Sequence, residues 1–133
     1  MRFTKITIVS MKKPQEDSIN EELQWFGASL GLFGVRDKDK SCFRIFVELI
    51  KASKQDLLLT SDEMADRTGL TRGTVVHHLN KLMSSGIVTS EKGGYQLKVD
   101  NLGQLTDVVK ENVDRAFVNL KSIAKNLDGK LGL

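Results

Sequence analysis

The sequence predicts a mainly α-helical chain with one small β-hairpin, and three observations lead there. Apolar residues recur at steps of three and four along several stretches, the spacing that gathers them on one side of a helix. Ser18 with Glu21, and Thr60 with Glu63, have the spacing of a capping box, in which each partner satisfies a backbone N–H left open at a helix start. Residues 87–99 hold two β-rich runs around a glycine-containing turn, the one hairpin signal in the chain. One proline and 6% aromatic residues agree with a helical composition more than with a loop-rich β-sandwich. A length of 133 residues suits one domain with appended elements and disfavours two independent cores.

Taken in order, residues 3–9 are rich in β-branched side chains with partial alternation and read as a short strand. Residues 11–17 are polar, contain Pro14 and read as a loop. Ser18 then opens a helix whose Ile19, Leu23, Phe26, Leu30 and Phe33 lie on one stripe, and which is expected to end near Gly34. Gly27 and Gly31 sit inside it, each costing about 1 kcal/mol against Ala, so they mark either a close backbone approach or a break. A charged spacer, residues 36–40, precedes Cys42 to Ile50, whose apolar positions cover most of a helix circumference. Such a helix is buried from two sides, and Arg44 and Glu48 on its polar remnant are spaced for an i,i+4 pair.

Leu57 to Leu59 is a short strand candidate. Thr60 caps a short helix over Ser61 to Arg67, Thr68 to Leu70 turn the chain, and a second helix starts at Thr71 or Arg72. It runs to about Ser85, where Gly86 stops it. Ile87 to Thr89 and Tyr95 to Val99 flank the turn Glu91 to Gly94, whose two glycines are suited to positive φ. From Asn101 to about Leu127 a long helix follows, its stripe made of Leu102, Leu105, Val109, Val113, Ala116, Leu120, Ile123 and Leu127. That spacing lies near 3.5 residues, so two such helices can pair in coiled-coil fashion.

Charge is informative by position. The net +3 comes from 20 basic against 17 acidic residues. Residues 71–98 carry Arg72, Lys81, Lys92 and Lys98 against Glu91, which is a local +3, so the rest of the chain nets to zero. A local basic patch is the footprint of a polyanion binder. Cys42 is the single cysteine, which excludes an internal disulfide and suits a reducing compartment. No apolar run approaches the roughly 18 residues that span a membrane. The basic start lacks a secretory cleavage pattern, so a cytoplasmic protein is expected. No Gly-rich phosphate loop, Cys/His cluster or nucleophile motif appears, so neither an enzyme nor a metal or other cofactor is expected.

Helix, helix, three-residue turn, helix, glycine and hairpin over residues 41–99 form the plan of a winged helix-turn-helix. Ala65 is small where the next helix crosses, and Gly69 supplies the turn conformation. With Val75, Leu79 and Leu82 inward, Gly73, Val76, His77, Asn80 and Ser84 point outward at 100° per residue, and Arg72, Thr74 and Lys81 flank them. This face suits a major groove: Arg and Lys to guanine or phosphate, Asn to adenine, Val76 to a thymine methyl, Gly73 to a close backbone. Lys92 stands at the wing tip for a phosphate.

Thr74-Val-Val-His-His-Leu-Asn-Lys-Leu-Met-Ser-Ser-Gly-Ile-Val88 closely resembles the recognition helix and first wing strand of ArsR-type bacterial and archaeal repressors. The resemblance covers roughly residues 41–99, and it implies a dimeric transcriptional regulator on a near-palindromic operator with terminal helices in the dimer interface. On that reading residues 1–36 form an N-terminal extension and interface helix, 37–100 the DNA-binding domain, and 101–133 a C-terminal dimerisation helix. Leu23, Phe26, Leu30, Val109, Val113, Leu120, Ile123 and Leu127 are the expected interface. The family's metal-sensing chemistry is not expected: residues 59–70 have no cysteine and residues 101–133 no histidine. Adjacent His77 and His78 point about 100° apart on a helix and cannot chelate one metal from one face. Double-stranded DNA and a second copy are therefore the expected partners, with no membrane. A small-molecule effector stays open, and the alternative is a winged helix used for protein interaction in a larger assembly.

Overall fold

The structure is a computed structural model and describes residues 5–15, 18–34 and 40–133. Among the described residues five helices and one hairpin follow in the order α1 (Ile19–Ser29), α2 (Ser41–Lys54), α3 (Ser61–Thr68), α4 (Arg72–Ser84), β1 (Val88–Glu91), β2 (Gly94–Leu97) and α5 (Leu102–Leu131). This is a mainly helical winged helix-turn-helix with a long C-terminal helix. Phe3 and Thr4 of the expected N-terminal strand, and residues 36–39 of the charged spacer, lie outside the described residues.

α1 starts where expected, with the Ser18 hydroxyl accepting from the Glu21 N–H at 3.1 Å, one half of the expected capping box. It ends five residues earlier than its stripe implies, because Gly31 turns the chain at φ 68°. The turn sends Phe33 into the core as a loop residue, where its ring meets Phe43 edge-on at 5.6 Å and Phe46 at 6.0 Å between centroids. A Cβ on Gly27 would lie 1.9 Å from that ring, so the glycine within α1 marks a close approach. Residues 5–9 form no strand. A single backbone bond, Val9 N–H to the Ser29 carbonyl at 2.7 Å, ties them to the end of α1.

α2 is the central helix. Cys42, Phe43, Ile45, Phe46, Leu49 and Ala52 are buried, and Val47 and Ile50 are half-buried, as the near-continuous apolar circumference requires. Its polar remnant is used differently from the expected Arg44–Glu48 pair. The Arg44 guanidinium donates to the Thr68 carbonyl at the end of α3, where a cation favours the helix dipole. Glu48 instead meets Lys51 at 3.5 Å and Arg67 at 3.8 Å.

The hairpin pairs Val88 with Leu97, Thr89 with Gln96, Ser90 with Tyr95 and Glu91 with Gly94. Its two turn residues, Lys92 and Gly93, both take positive φ, 51° and 79°. That is the pattern of the tight hairpin turn matching strand twist, with a lysine rather than a second glycine at its first position. Gly94 serves packing instead, since a Cβ there would lie 2.7 Å from that of Leu58. Leu59 adds one antiparallel rung to Tyr95, through bonds of 3.1 and 2.7 Å, and so anchors the wing to the body.

α5 packs on the body through Leu105, Val109 and Asn112, with Leu102, Val108 and Val113 half-buried beside them. From Asp114 onward every residue is exposed.

Candidate nucleic-acid interface

The helix-turn-helix is built from local signals that agree with one another. Thr60 and Glu63 form a complete capping box: each side chain takes the other's backbone N–H at 3.1 Å. The bond from the Thr60 N–H, followed by that with its hydroxyl, holds the Glu63 carboxyl below the ordinary carboxylate range. Gly69 closes α3 at φ 71°, and the Thr68 hydroxyl donates back to the Met64 carbonyl at 2.8 Å while accepting from the Leu70 N–H at 3.3 Å. Thr71 then caps α4 by accepting from the Thr74 N–H at 3.2 Å. Val75, Leu79 and Leu82 are fully buried, so the azimuth of α4 is fixed.

With that azimuth, Arg72, Gly73, His77, Asn80, Lys81 and Ser84 are exposed, while Val76 and Thr74 are half-buried. Thr74 is engaged locally: its hydroxyl accepts from that of Thr71 at 2.9 Å, so it stiffens the start of the helix. A Cβ at Gly73 would meet no atom within 4 Å, so nothing within the protein requires a glycine there. The open space faces outward, where a missing side chain admits a close neighbour. Lys92 is exposed at the wing tip.

Arg72 is oriented by two residues that sequence reasoning did not single out. Its Nε lies 3.4 Å from an Asp62 carboxylate oxygen and 3.5 Å from the Ser61 hydroxyl, both in the first turn of α3. Both charged side chains are more than two-thirds exposed, so the pair holds the guanidinium loosely and leaves it able to swing to a phosphate or base. Only the crossing of α3 over α4 brings positions 62 and 72 together, and no spacing rule marks that pair. His77 and His78 stack edge-on at 5.3 Å, with His77 outward and His78 half-buried.

The residues expected at a dimer interface divide into two groups. Val109 belongs to the core, and Leu23, Phe26, Leu30 and Val113 are half-buried against it. Leu23 and Phe26, with Pro14, Trp25 and Leu102, line a cavity of about 620 Å³ between α1 and the start of α5. Trp25 is half-buried, its indole N–H donating to the Met11 carbonyl at 3.3 Å. Leu120, Ile123 and Leu127 are 62%, 57% and 49% exposed on the projecting half of α5. No helix among the described residues is long and apolar enough to cross a membrane.

Three helices, a wing and an exposed, partly basic second helix define a winged helix-turn-helix domain. A family model described as an HTH domain matches residues 45–96, from the middle of α2 through the wing. This match supports a DNA-binding regulator. No curated protein and no solved structure matches the chain.

Proposed function

We propose that the protein is a sequence-specific transcriptional regulator of the ArsR type, acting as a homodimer on a near-palindromic operator. α4, together with its cap at residue 71, enters the major groove, and the wing over residues 87–99 lies on the phosphate backbone. The observation that carries this reading is the outer face of α4. Gly73, His77, Asn80 and Lys81 stand exposed on a helix whose opposite face is locked into the core, and a Cβ at Gly73 would meet open space. Val76 is placed at the edge of that face and Thr74 within its rigid start. Arg72 reaches base or phosphate from the first turn, and Lys92 holds a phosphate from the wing. Residues 37–100 make up this DNA-binding domain, with residues 1–36 and 101–133 serving dimerisation.

Selection of bound duplexes from a random pool, followed by salt titration on the best and a scrambled site, tests the proposal. A two-fold related pair of half-sites is the expected product. Arg72→Ala should weaken binding to the selected site by about 1–3 kcal/mol where Arg72 reads a base. Lys92→Ala should weaken all duplexes alike and reduce the salt slope by about one unit. Unchanged binding in both variants defeats the assignment. A protein that binds no duplex even at low salt, yet holds a stable protein partner, belongs to the protein-interaction class instead.

A further inference from the structure

The apolar stripe of α5 does not stop where the body stops. Beyond Val113, the positions Phe117, Leu120, Ala124, Leu127 and Leu131 continue it at alternating steps of four and three, with Ile123 widening it on one side. All of them are exposed, Phe117 to 63% and Leu131 to 67%. Steps averaging 3.5 residues form a coiled-coil seam, whose complement is another helix of the same spacing. At about 1.5 Å per residue the stretch from 114 to 131 extends on the order of 27 Å beyond the body.

We propose that this projecting half of α5 pairs antiparallel with the same half of a second copy of the chain. The inference deepens the dimeric reading proposed above and rests on it. A two-fold axis crossing the helix near Ser122 lays the stripe on its own copy, so one heptad pattern supplies both sides of the interface. Phe117 of one copy then faces Leu127 of the other, Leu120 faces Ala124, and Val113 faces Leu131, large against small at the centre. Five large side chains per copy, each with on the order of 100 Å² exposed, bring the buried total to about the 1,000 Å² at which specific interfaces begin.

Direction follows from the body. The seam continues the face through which Leu105 and Val109 pack, so the body stands on the seam side of α5 at its base. Parallel pairing would place both bodies at one level between the two helices. Antiparallel pairing, with overlap confined to residues 113–131, places one body at each end.

Sedimentation of the full chain at micromolar concentration, without DNA, should show a dimer. Leu120→Asp combined with Leu127→Asp should show a monomer whose body keeps its helical circular dichroism and melting transition. In a Cys42→Ala background, Phe117→Cys and Leu127→Cys proteins mixed and mildly oxidised should give the mixed disulfide in large excess over either symmetric one. A monomeric unsubstituted chain, a dimer that survives both Asp substitutions, or symmetric disulfides alone would each overturn the proposal. DNA is absent throughout, so these outcomes are separate from those of the duplex selection.

Discussion

Gly27 and Gly73 are both helical glycines, yet their surroundings assign them opposite roles. At Gly27 a Cβ would lie 1.9 Å from the Phe33 ring, which is itself wedged against Phe43 and Phe46. Gly27→Ala must therefore displace a core aromatic, and it should destabilise the fold by about 1–3 kcal/mol, read as a lower urea midpoint at unchanged slope. At Gly73 a Cβ would meet nothing, so Gly73→Ala removes only the entropic penalty of a helical glycine. It should raise stability by up to about 1 kcal/mol while weakening duplex binding. Loss of stability together with binding would show that Gly73 serves the fold instead. The exposure of Gly73, His77, Asn80 and Ser84, with Lys81 on their flank, was legible in the sequence because 100° per residue from a buried Val75 is enough to find it. The same geometry puts Val76 and Thr74 only about 100° to either side of Val75, on the flanks of the buried stripe, so the half-burial of Val76 corrects its expected outward position.

Helix starts were easier to read than helix ends. A capping box is a local exchange between two side chains and two N–H groups, so Thr60 and Glu63 announced α3 without help from the rest of the chain. The end of α1 depends on where Phe33 is buried, and its destination among α2 aromatics is a tertiary fact that the stripe Ile19 to Phe33 could not express. The partner of Arg44 was hidden for the same reason: i,i+4 spacing offered Glu48, but the end of α3 offered a carbonyl and a favourable dipole. The capping box also carries a pH signature. Glu63 has its folded-state pKa lowered, chiefly by the Thr60 N–H. Its stabilisation is therefore present above the ordinary carboxylate value and is lost as pH falls through the lower folded-state value. Glu63→Gln should melt below the unsubstituted protein near neutral pH, and the gap should close in acid. Thr60→Ala should cost about 1 kcal/mol, with hydrogen exchange accelerated first at the amides of the first turn of α3. A pH-independent gap for Glu63→Gln would contradict the capping account.

At the scale of the whole molecule, a three-helix reader with a short wing touches few base pairs. On the dimeric reading proposed above, specificity comes from joining two readers. A chain of 133 residues is long for one such domain, and the excess lies in α1 and in α5, both of which the periodicity of the sequence marks as helices. Only the structure divides α5, with Leu105 and Val109 buried in the body and Phe117 to Leu131 left on a projecting helix. Linking two half-site readers turns the second contact into an intramolecular event, which raises affinity by about 10²–10⁴-fold when the geometry permits both contacts. The double variant Leu120→Asp with Leu127→Asp leaves every residue proposed to face the groove in place, so its affinity for a single half-site should match that of the unsubstituted protein. On the full operator it should lose most of the linkage gain, together with the dependence of affinity on half-site spacing. Fluorescence anisotropy on duplexes with one half-site, two half-sites, and two half-sites displaced by about half a helical turn measures all three quantities. Equal losses on the single and double sites would place Leu120 and Leu127 in the fold or in the DNA contact instead, and would separate dimerisation from operator recognition.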